Sequence, residues 1–254
     1  MSTALDVGVT MLDTAFSYQD FTAHQRLAEA ARNLLPRFDI TTKIGFFPGG
    51  HDLSATRLRA AAEQIRSELG RPPDTLLLHN PERTPTGFAQ ACQTMARMRD
   101  EGLCRAWGLS TWNPEPLLDS VIPEPPDVLM VRAGLKVPAD VLDAAEQLAA
   151  EAKPVELRGM APLGGHGSES AWTRVDPAAL FLHPGQNANR VQAAVATALH
   201  LPAVDAVAAG TGSSDHLIEL AQAVRLDVNL HAIEQYRTLI RARASVATPD
   251  RGAR

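Results

Sequence analysis

The stretch DTLLLHNPERTPTGFAQACQTMARMRDEGLCRAWGLST, residues 74–111, decides the fold. It opens on an unbroken apolar run, TLLL, closed by His79. A turn rich in Pro and Thr follows. Residues 87–102 then carry apolar side chains at helical spacing and stop at Gly102, and CRAWGLST (104–111) is a second short apolar run. Strand, helix, strand in this order is a βαβ crossover, and a crossover of this length joins parallel strands. Apolar runs that do not alternate with polar residues suit strands covered on both faces.

The same unit repeats in both directions. Strands are predicted at VTMLDTA (9–15), DITTKIGF (39–46), DVLMVRAG (127–134), PVELRGMAP (154–162) and AVDAVAAGTG (203–212). Helices are predicted at 24–35, 54–70, 138–152, 189–201, 213–226 and 230–244, with a short one at 114–121. Ser54 reads as an N-cap, Gly70 as a helix stop and Pro138 as a first-turn residue. Residues 164–185 form a polar stretch holding Trp172, His166 and His183. Seven strands alternating with helices mean a parallel α/β sheet, either doubly wound or closed into a barrel. No G-x-G-x-x-G follows the first strand, which counts against the doubly wound form. The 254 residues fit a barrel domain, which needs roughly 250. Residues 1–246 are expected to form one domain and 247–254 a disordered tail.

Charge and composition exclude several functions. Asp and Glu outnumber Lys and Arg by 29 to 24, which argues against nonspecific nucleic-acid binding. The basic cluster Arg237 to Arg243 reads as a solvated helix face. Cys92 and Cys104 lack metal-site or redox spacing and suit a reducing compartment. No apolar run approaches the ~18 residues of a membrane helix, and residues 1–15 lack the pattern of a secretory leader. The expected location is cytoplasmic, with no membrane partner.

In parallel α/β proteins, chemistry gathers at the C-terminal ends of strands. Asp13, Lys43, His79 and the pair Ser110 and Thr111 all close apolar strands, and Tyr18 follows Asp13 in the next loop. A lysine ammonium beside a phenol favours the phenolate and lowers its pKa. A carboxylate paired to that lysine keeps it charged, and a neutral histidine can hydrogen-bond a carbonyl oxygen. Such a set can polarise a carbonyl and protonate it as negative charge develops, and hydride from a nicotinamide would complete a reduction.

At these residues the sequence resembles the aldo-keto reductases, in LDVGVTMLDTAFSY (5–18), ITTKIGFF (40–47), TLLLHNPE (75–82), MRDEGLCRAWGLST (98–111), GMAPLGG (159–165) and AGTGSSDHLIEL (209–220). The blocks keep their order over residues 5–226. The resemblance implies a TIM (β/α)8-type barrel lacking the first strand, because the chain starts at the segment after the family's first strand. It also implies NADP(H) or NAD(H) as cofactor, a small carbonyl or hydroxy compound as substrate, and Asp13, Tyr18, Lys43 and His79 as the catalytic tetrad, with Tyr18 as general acid. Ser110, Thr111, Met160, Pro162, Leu163, Gly210, Thr211, Gly212, Ser213, His216 and Glu219 would bind the cofactor, and Trp112 and Asn80 the substrate.

The departures are specific. The family's Ser-Asn pair is Ser110 and Thr111 here, its carboxamide-binding Gln has no clear counterpart in VLMVRAG, and the stacking aromatic is replaced by Met160. The loop that usually offers Lys or Arg to a 2′-phosphate offers Thr211, Ser213, Ser214 and His216. An open seam in a barrel of seven strands would be covered by residues 1–8, by a second copy of the chain, or by a segment upstream of Met1. The competing functional reading is a non-redox acid/base enzyme, a dehydratase, isomerase or lyase, that uses the tetrad without hydride transfer; a noncatalytic subunit is the third. His24 is expected to be structural, His51, His200 and His231 to be surface residues, and Trp107 and Tyr236 to be packing residues. Glu82 is expected either to line the pocket or to hold a turn. No histidine spacing suggests a metal.

Overall fold

A computed structural model describes residues 1–164 and 175–247. Gly165, His166, Trp172 and residues 248–254 of the tail expected over 247–254 lie outside the described residues, while Ala247 ends a helix. The chain clusters into two compact units. One comprises Met1–Val131 and Gln147–Arg158, the other Arg132–Glu146 and the chain from Gly159 onward.

The strands are β1 (Met11–Asp13), β2 (Asp39–Ile44), β3 (Phe46–Phe47), β4 (Gly50–His51), β5 (Thr75–His79), β6 (Ala106–Thr111), β7 (Val128–Arg132), β8 (Glu156–Met160) and β9 (Ala206–Ala208). The main sheet has seven strands in the order β1-β2-β5-β6-β7-β8-β9, the seven expected from the sequence. From β1 to β7 the pairing is parallel, with Leu12 beside Ile40, Lys43 beside Leu77, and His79 beside Ser110. Ser110 in turn pairs with Met130. Paired residues of parallel strands share a face, so Asp13, Thr41, Lys43, Leu77, His79, Ser110 and Met130 all project to the same side. Leu76, Leu78, Trp107 and Leu109 project to the other side and are fully buried. Buried residues of the covering helices Ala55–Leu69 and Phe88–Asp100, among them Leu58, Ile65, Met95 and Met98, supply the rest of that apolar layer.

Local chemistry sets the element boundaries. Gly70 ends its helix in the left-handed conformation, as its position suggests. Ser54 stands at the N-cap without a side-chain capping bond; its backbone N–H instead donates to Asp52. The expected strand 9–15 is reduced to three residues, and the helix expected over 114–121 is a 3₁₀ turn at Glu115–Leu117. The hairpin β3–β4 is additional, because two-residue strands leave no periodicity to read.

In the second unit, helices Ala139–Ala152, Arg190–Ala198, Ser214–Ala223 and Leu230–Ala247 are described. Its core gathers Val141, Leu142, Phe181, Leu182, Leu201 and Ile233. Tyr236 packs edge-on against Phe181 at 5.5 Å and donates to the Leu135 carbonyl at 2.5 Å, the packing role expected of it. The basic cluster is not purely a solvated face: Arg237 pairs with Glu146, and Arg241 with Asp143 at 2.5 Å. The helix Pro177–Phe181, capped by Asp176, lies within the stretch read only as polar.

Gly108, in β6, is a position where the fold requires glycine. A Cβ there would meet the Val128 carbonyl oxygen at 1.9 Å, an approach that only backbone movement could relieve. Gly108→Ala is therefore expected to destabilise the chain by roughly 3 kcal/mol or to prevent folding, at the upper end of the cost of overpacking a core. Urea unfolding of the variant beside the parent measures it; an unchanged midpoint would show that the β6–β7 spacing is wrong.

Candidate active site

Four of the residues singled out in the sequence meet at one end of the first unit. Lys43 enters from β2 and is only 2% exposed. Its ammonium donates to Asp13 Oδ2 at 2.5 Å and to the Thr14 carbonyl at 3.0 Å. Burial pulls the Lys43 pKa down, and the Asp13 carboxylate opposes that shift. Asp13 itself is less buried than expected, with 27% of its side chain open, because it stands on β1 at one end of the sheet order.

Tyr18 sits on the loop after β1. The ladder to β2 continues beyond the strand through Thr14 N–H to the Thr41 carbonyl and Phe16 N–H to the Lys43 carbonyl, each at 2.9 Å, so the loop leaves the sheet in a fixed register. The next residues, Gln19, Asp20 and Phe21, all have positive φ (52°, 52° and 65°). Non-glycine residues in this region cost on the order of 1 kcal/mol or more each. The turn is held by Thr22, whose Oγ1 donates to the Gln19 carbonyl at 2.6 Å, and by Phe21 packed edge-on against Phe16 at 5.5 Å. The Tyr18 ring centroid lies 5.6 Å from Lys43 Nζ and 6.1 Å from the His79 ring. Burial, and then the Asp13 charge, raise the Tyr18 pKa. This differs from the expectation that Lys43 lowers it: burial of the phenol is the larger cause, and the Asp13 carboxylate adds to it.

His79 ends β5. Burial, Lys43 and His51 together push its pKa down to about 3, so the ring is neutral at ordinary pH. Among the described residues its ring has no hydrogen-bond partner, and Nδ1 is buried without one. Its backbone carbonyl is held by His51, whose Nε2 lies 2.8 Å away, while His51 Nδ1 lies 2.9 Å from Thr84 Oγ1. The carbonyl can only accept, so Nε2 carries the proton and Nδ1 accepts from the threonine. His51 is thus no surface residue but a strut from the β3–β4 hairpin to the turn after β5. The backbone of Gly45, at φ 138°, makes room for it: a Cβ there would stand 3.2 Å from both His51 Nε2 and the His79 oxygen. Phe46 completes a row of rings, 4.9 Å from His79 and 4.8 Å from His51. Phe46 and His51 were missed as site residues; the two glycines of FFPGGH, which allow a tight hairpin, were the available signal.

The remaining candidates occupy neighbouring strand ends and loops. Ser110 and Thr111 are fully buried at the end of β6, and Thr111 Oγ1 has no partner. Met130 occupies the position beside Ser110. Asn80 adopts a left-handed conformation and donates its N–H to the Ser110 carbonyl at 2.7 Å. Trp112 is 41% exposed, and its N–H is held by Glu82 Oε1 at 2.8 Å, so Glu82 clips the loop after β6 to the turn after β5. His24 is fully buried against Thr42 Oγ1 at 2.8 Å, the structural role expected of it. In the second unit, Met160 ends β8, and Pro162 and Leu163 come shortly after it. A Cβ added at Gly210 or Gly212 would meet nothing within 4 Å, and Ser213 caps the helix Ser214–Ala223 by accepting from the His216 N–H. Glu219 is engaged elsewhere, accepting from Asn189 Nδ2 at 3.0 Å. Among the described residues no helix is long and apolar enough to cross a membrane.

Comparison with known proteins places this arrangement. The Aldo/keto reductase family pattern matches residues 1–128, the half of the chain that holds all four clustered residues. The chain belongs to the aldo/keto reductase family. No curated protein matches the sequence. Among solved structures it is similar to an aldo-keto reductase of Bacillus halodurans in its holo form, with 18% identity, a TM-score of 0.72, and coverage of 94% of this chain and 85% of that one. It is also similar to an aldo/keto reductase of Klebsiella pneumoniae in complex with NADP and acetate, with 20% identity, a TM-score of 0.73, and coverage of 94% and 82%. A thermostable aldo-keto reductase bound to the inhibitor epalrestat gives a TM-score of 0.76 at 20% identity, covering 93% and 84%. The fold is therefore an α/β barrel of the TIM type, as expected, and membership of the family supports an oxidoreductase.

The His79 environment has a consequence for stability. An unfolded chain protonates this side chain near its ordinary 6.5, the folded chain only near 3. Between those values the unfolded state binds more protons, so folding stability falls as pH drops from 6.5 towards 3 and is fully present above 6.5. Urea unfolding at pH 5 and pH 7 should show a loss of about 2 kcal/mol in the parent that is absent from His79→Gln, a window of about 1.5 units at 1.36 kcal/mol each. Equal losses in the two proteins would place the histidine in a solvated setting.

Proposed function

We propose that the chain reduces an aldehyde or ketone to the alcohol with NADPH or NADH, with Tyr18 as the general acid. One observation carries this reading: a protonated phenol stands beside a buried Lys43–Asp13 pair and faces a neutral His79 whose ring nitrogens are unpaired. A substrate carbonyl oxygen between Tyr18 Oη and His79 would accept from both. His79 orients it, and being neutral it can donate one ring N–H without a charge to desolvate. Tyr18 passes its proton to the oxygen as negative charge builds there, and the Lys43 ammonium stabilises the phenolate left behind. Asp13 and the Thr14 carbonyl hold Lys43 in place.

The residues present fit a dinucleotide. Thr111 Oγ1 is buried and unpartnered beside Ser110, on the strand next to His79. In the second unit, the open glycines of residues 210–212 precede a helix whose first N–H groups lack intrahelical acceptors, a setting that suits phosphate. Within the first unit, Ser110 and Thr111 would hold the nicotinamide end; within the second, Gly210, Thr211, Gly212, Ser213 and His216 offer a phosphate setting. When bound, the cofactor supplies the hydride that joins the carbonyl carbon while the Tyr18 proton joins the oxygen. Residues 209–220 contain no Lys or Arg, so a 2′-phosphate finds hydroxyl, backbone and His216 donors there but no fixed cation. NADPH and NADH are expected to bind with dissociation constants within about tenfold of each other, a difference of about 1.4 kcal/mol. Titration of tryptophan fluorescence with each nucleotide measures this.

Tyr18→Phe should lower kcat for carbonyl reduction by roughly 10²–10⁴-fold while leaving nucleotide affinity nearly unchanged, the range for loss of a positioned acid. Steady-state kinetics paired with the same titration test it. Met130 beside Ser110 offers no amide to a nicotinamide carboxamide, which is the one observation favouring a non-redox acid/base enzyme instead. Turnover of a hydroxy compound without nucleotide would replace the reductase reading with that one.

A further inference from the structure

Both aromatic residues of strand β3 carry an arginine on their faces, and the two arginines differ in charge balance. The Arg57 guanidinium lies 4.6 Å from the Phe47 ring centroid and is paired with Asp52 at 3.3 Å. The Arg83 guanidinium lies 5.3 Å from the Phe46 ring centroid, and among the described residues it has no carboxylate partner. Its neighbour Glu82 cannot serve. Glu82 Oε1 accepts from the N–H groups of Trp112 and Asn113 at 2.8 and 3.2 Å, and Oε2 is buried. The other cation of the site, Lys43, is neutralised by Asp13. Arg83 is exposed and sits in the turn that directly follows His79. The Phe46 ring links the two, 4.9 Å from the imidazole. A row therefore runs from Tyr18 through His79 and Phe46 to an uncompensated, planar cation.

We propose that Arg83 reads an anionic group on the substrate, so that this site takes carbonyl compounds carrying a carboxylate or phosphate at the end away from the reacting carbon. The inference rests on the reductase reading above. With the carbonyl oxygen between Tyr18 and His79, the body of the substrate lies along the Phe46 face and its far end meets Arg83. A guanidinium placed over an aromatic ring and without an ion pair keeps its N–H donors free. They are paired in the geometry that carboxylate and phosphate oxygens accept. The contact with the ring also restricts the side chain in advance, which lowers the entropy lost on forming those hydrogen bonds. Arg57 serves as the internal comparison, because it has the same kind of ring contact but its charge is already answered by Asp52.

The test compares matched probes on the full chain with either nucleotide. 4-Carboxybenzaldehyde is set against 4-methylbenzaldehyde, and glyceraldehyde 3-phosphate against glyceraldehyde. The first pair reads carboxylate recognition and the second phosphate recognition. Arg83→Gln is expected to lower kcat/KM for the charged member of at least one pair by roughly 10- to 100-fold, the range for losing a hydrogen bond to a charged group, and to leave the neutral member within about twofold. Arg57→Gln should leave both ratios unchanged. Equal effects of Arg83→Gln on charged and neutral probes, or none on either, overturn the proposal while leaving the reductase reading intact. Binding of terephthalate to the chain, followed calorimetrically without nucleotide, separates the two: weaker binding by Arg83→Gln with no turnover of any aldehyde would uphold anion recognition and remove the reductase reading.

Discussion

The ion pair between Lys43 and Asp13 is the constraint on which the rest of the site depends. An ammonium 2% exposed would lose its proton or distort its surroundings if it stood alone, because burial disfavours the charged form by several kcal/mol. The Asp13 carboxylate at 2.5 Å and the Thr14 carbonyl at 3.0 Å offset that penalty, and both come from the end of β1. Strand β1 is only three residues long and contributes few ladder bonds, so the pair also ties it to β2 at the register where Asp13 meets Thr41. The position of Tyr18 follows from that register, since the loop carrying it leaves β1 through the Thr14 and Phe16 hydrogen bonds.

A second set of contacts fixes His79 without touching its imidazole nitrogens. His51 holds the backbone carbonyl and Phe46 makes a T-shaped contact with the ring, while Glu82 ties the following turn to the loop after β6. Positioning through the backbone leaves the ring nitrogens available, whereas a direct hydrogen bond to the imidazole would satisfy it and remove it from the substrate. The consequence is a buried, unpartnered Nδ1, the kind of unsatisfied polar atom that folded proteins tolerate mainly where a ligand will meet it.

The strand ends were legible in the sequence because each closes an apolar run with one ionisable residue, and parallel topology sends such ends to a common side. Asp13, Lys43 and His79 were found by that rule alone. Tyr18 was singled out only by following Asp13 in the next loop, since a loop residue has no period to place it, and its role as general acid came from the resemblance. The hairpin at Phe46–His51 was not legible: its strands are too short to show alternation, and the hydrogen bond from His51 to the His79 carbonyl spans 28 positions with no local signature. The direction of the Tyr18 shift differs from the expectation for a related reason: the sequence reading paired the phenol with the lysine, but how far the phenol is buried, the larger cause of its shift, is a property of the folded chain. Arg83 escaped notice because its meaning lies in what Glu82 beside it does, and the two carboxylates of the comparison, Glu82 and Asp52, are indistinguishable by their chemistry alone.

The raised Tyr18 pKa bears on the direction of the proposed chemistry. A phenolate could only accept a proton. Burial, and then the Asp13 charge, favour the protonated phenol, which is the form that reduction of a carbonyl consumes. Burial and the Asp13 charge disfavour the phenolate, so the phenol gives up its proton only as charge develops on the substrate oxygen, and the nearby Lys43 ammonium limits the cost of that transfer. A proton donated as charge develops, and held before it, is an interaction stronger in the transition state than in the ground state, the kind that lowers a barrier.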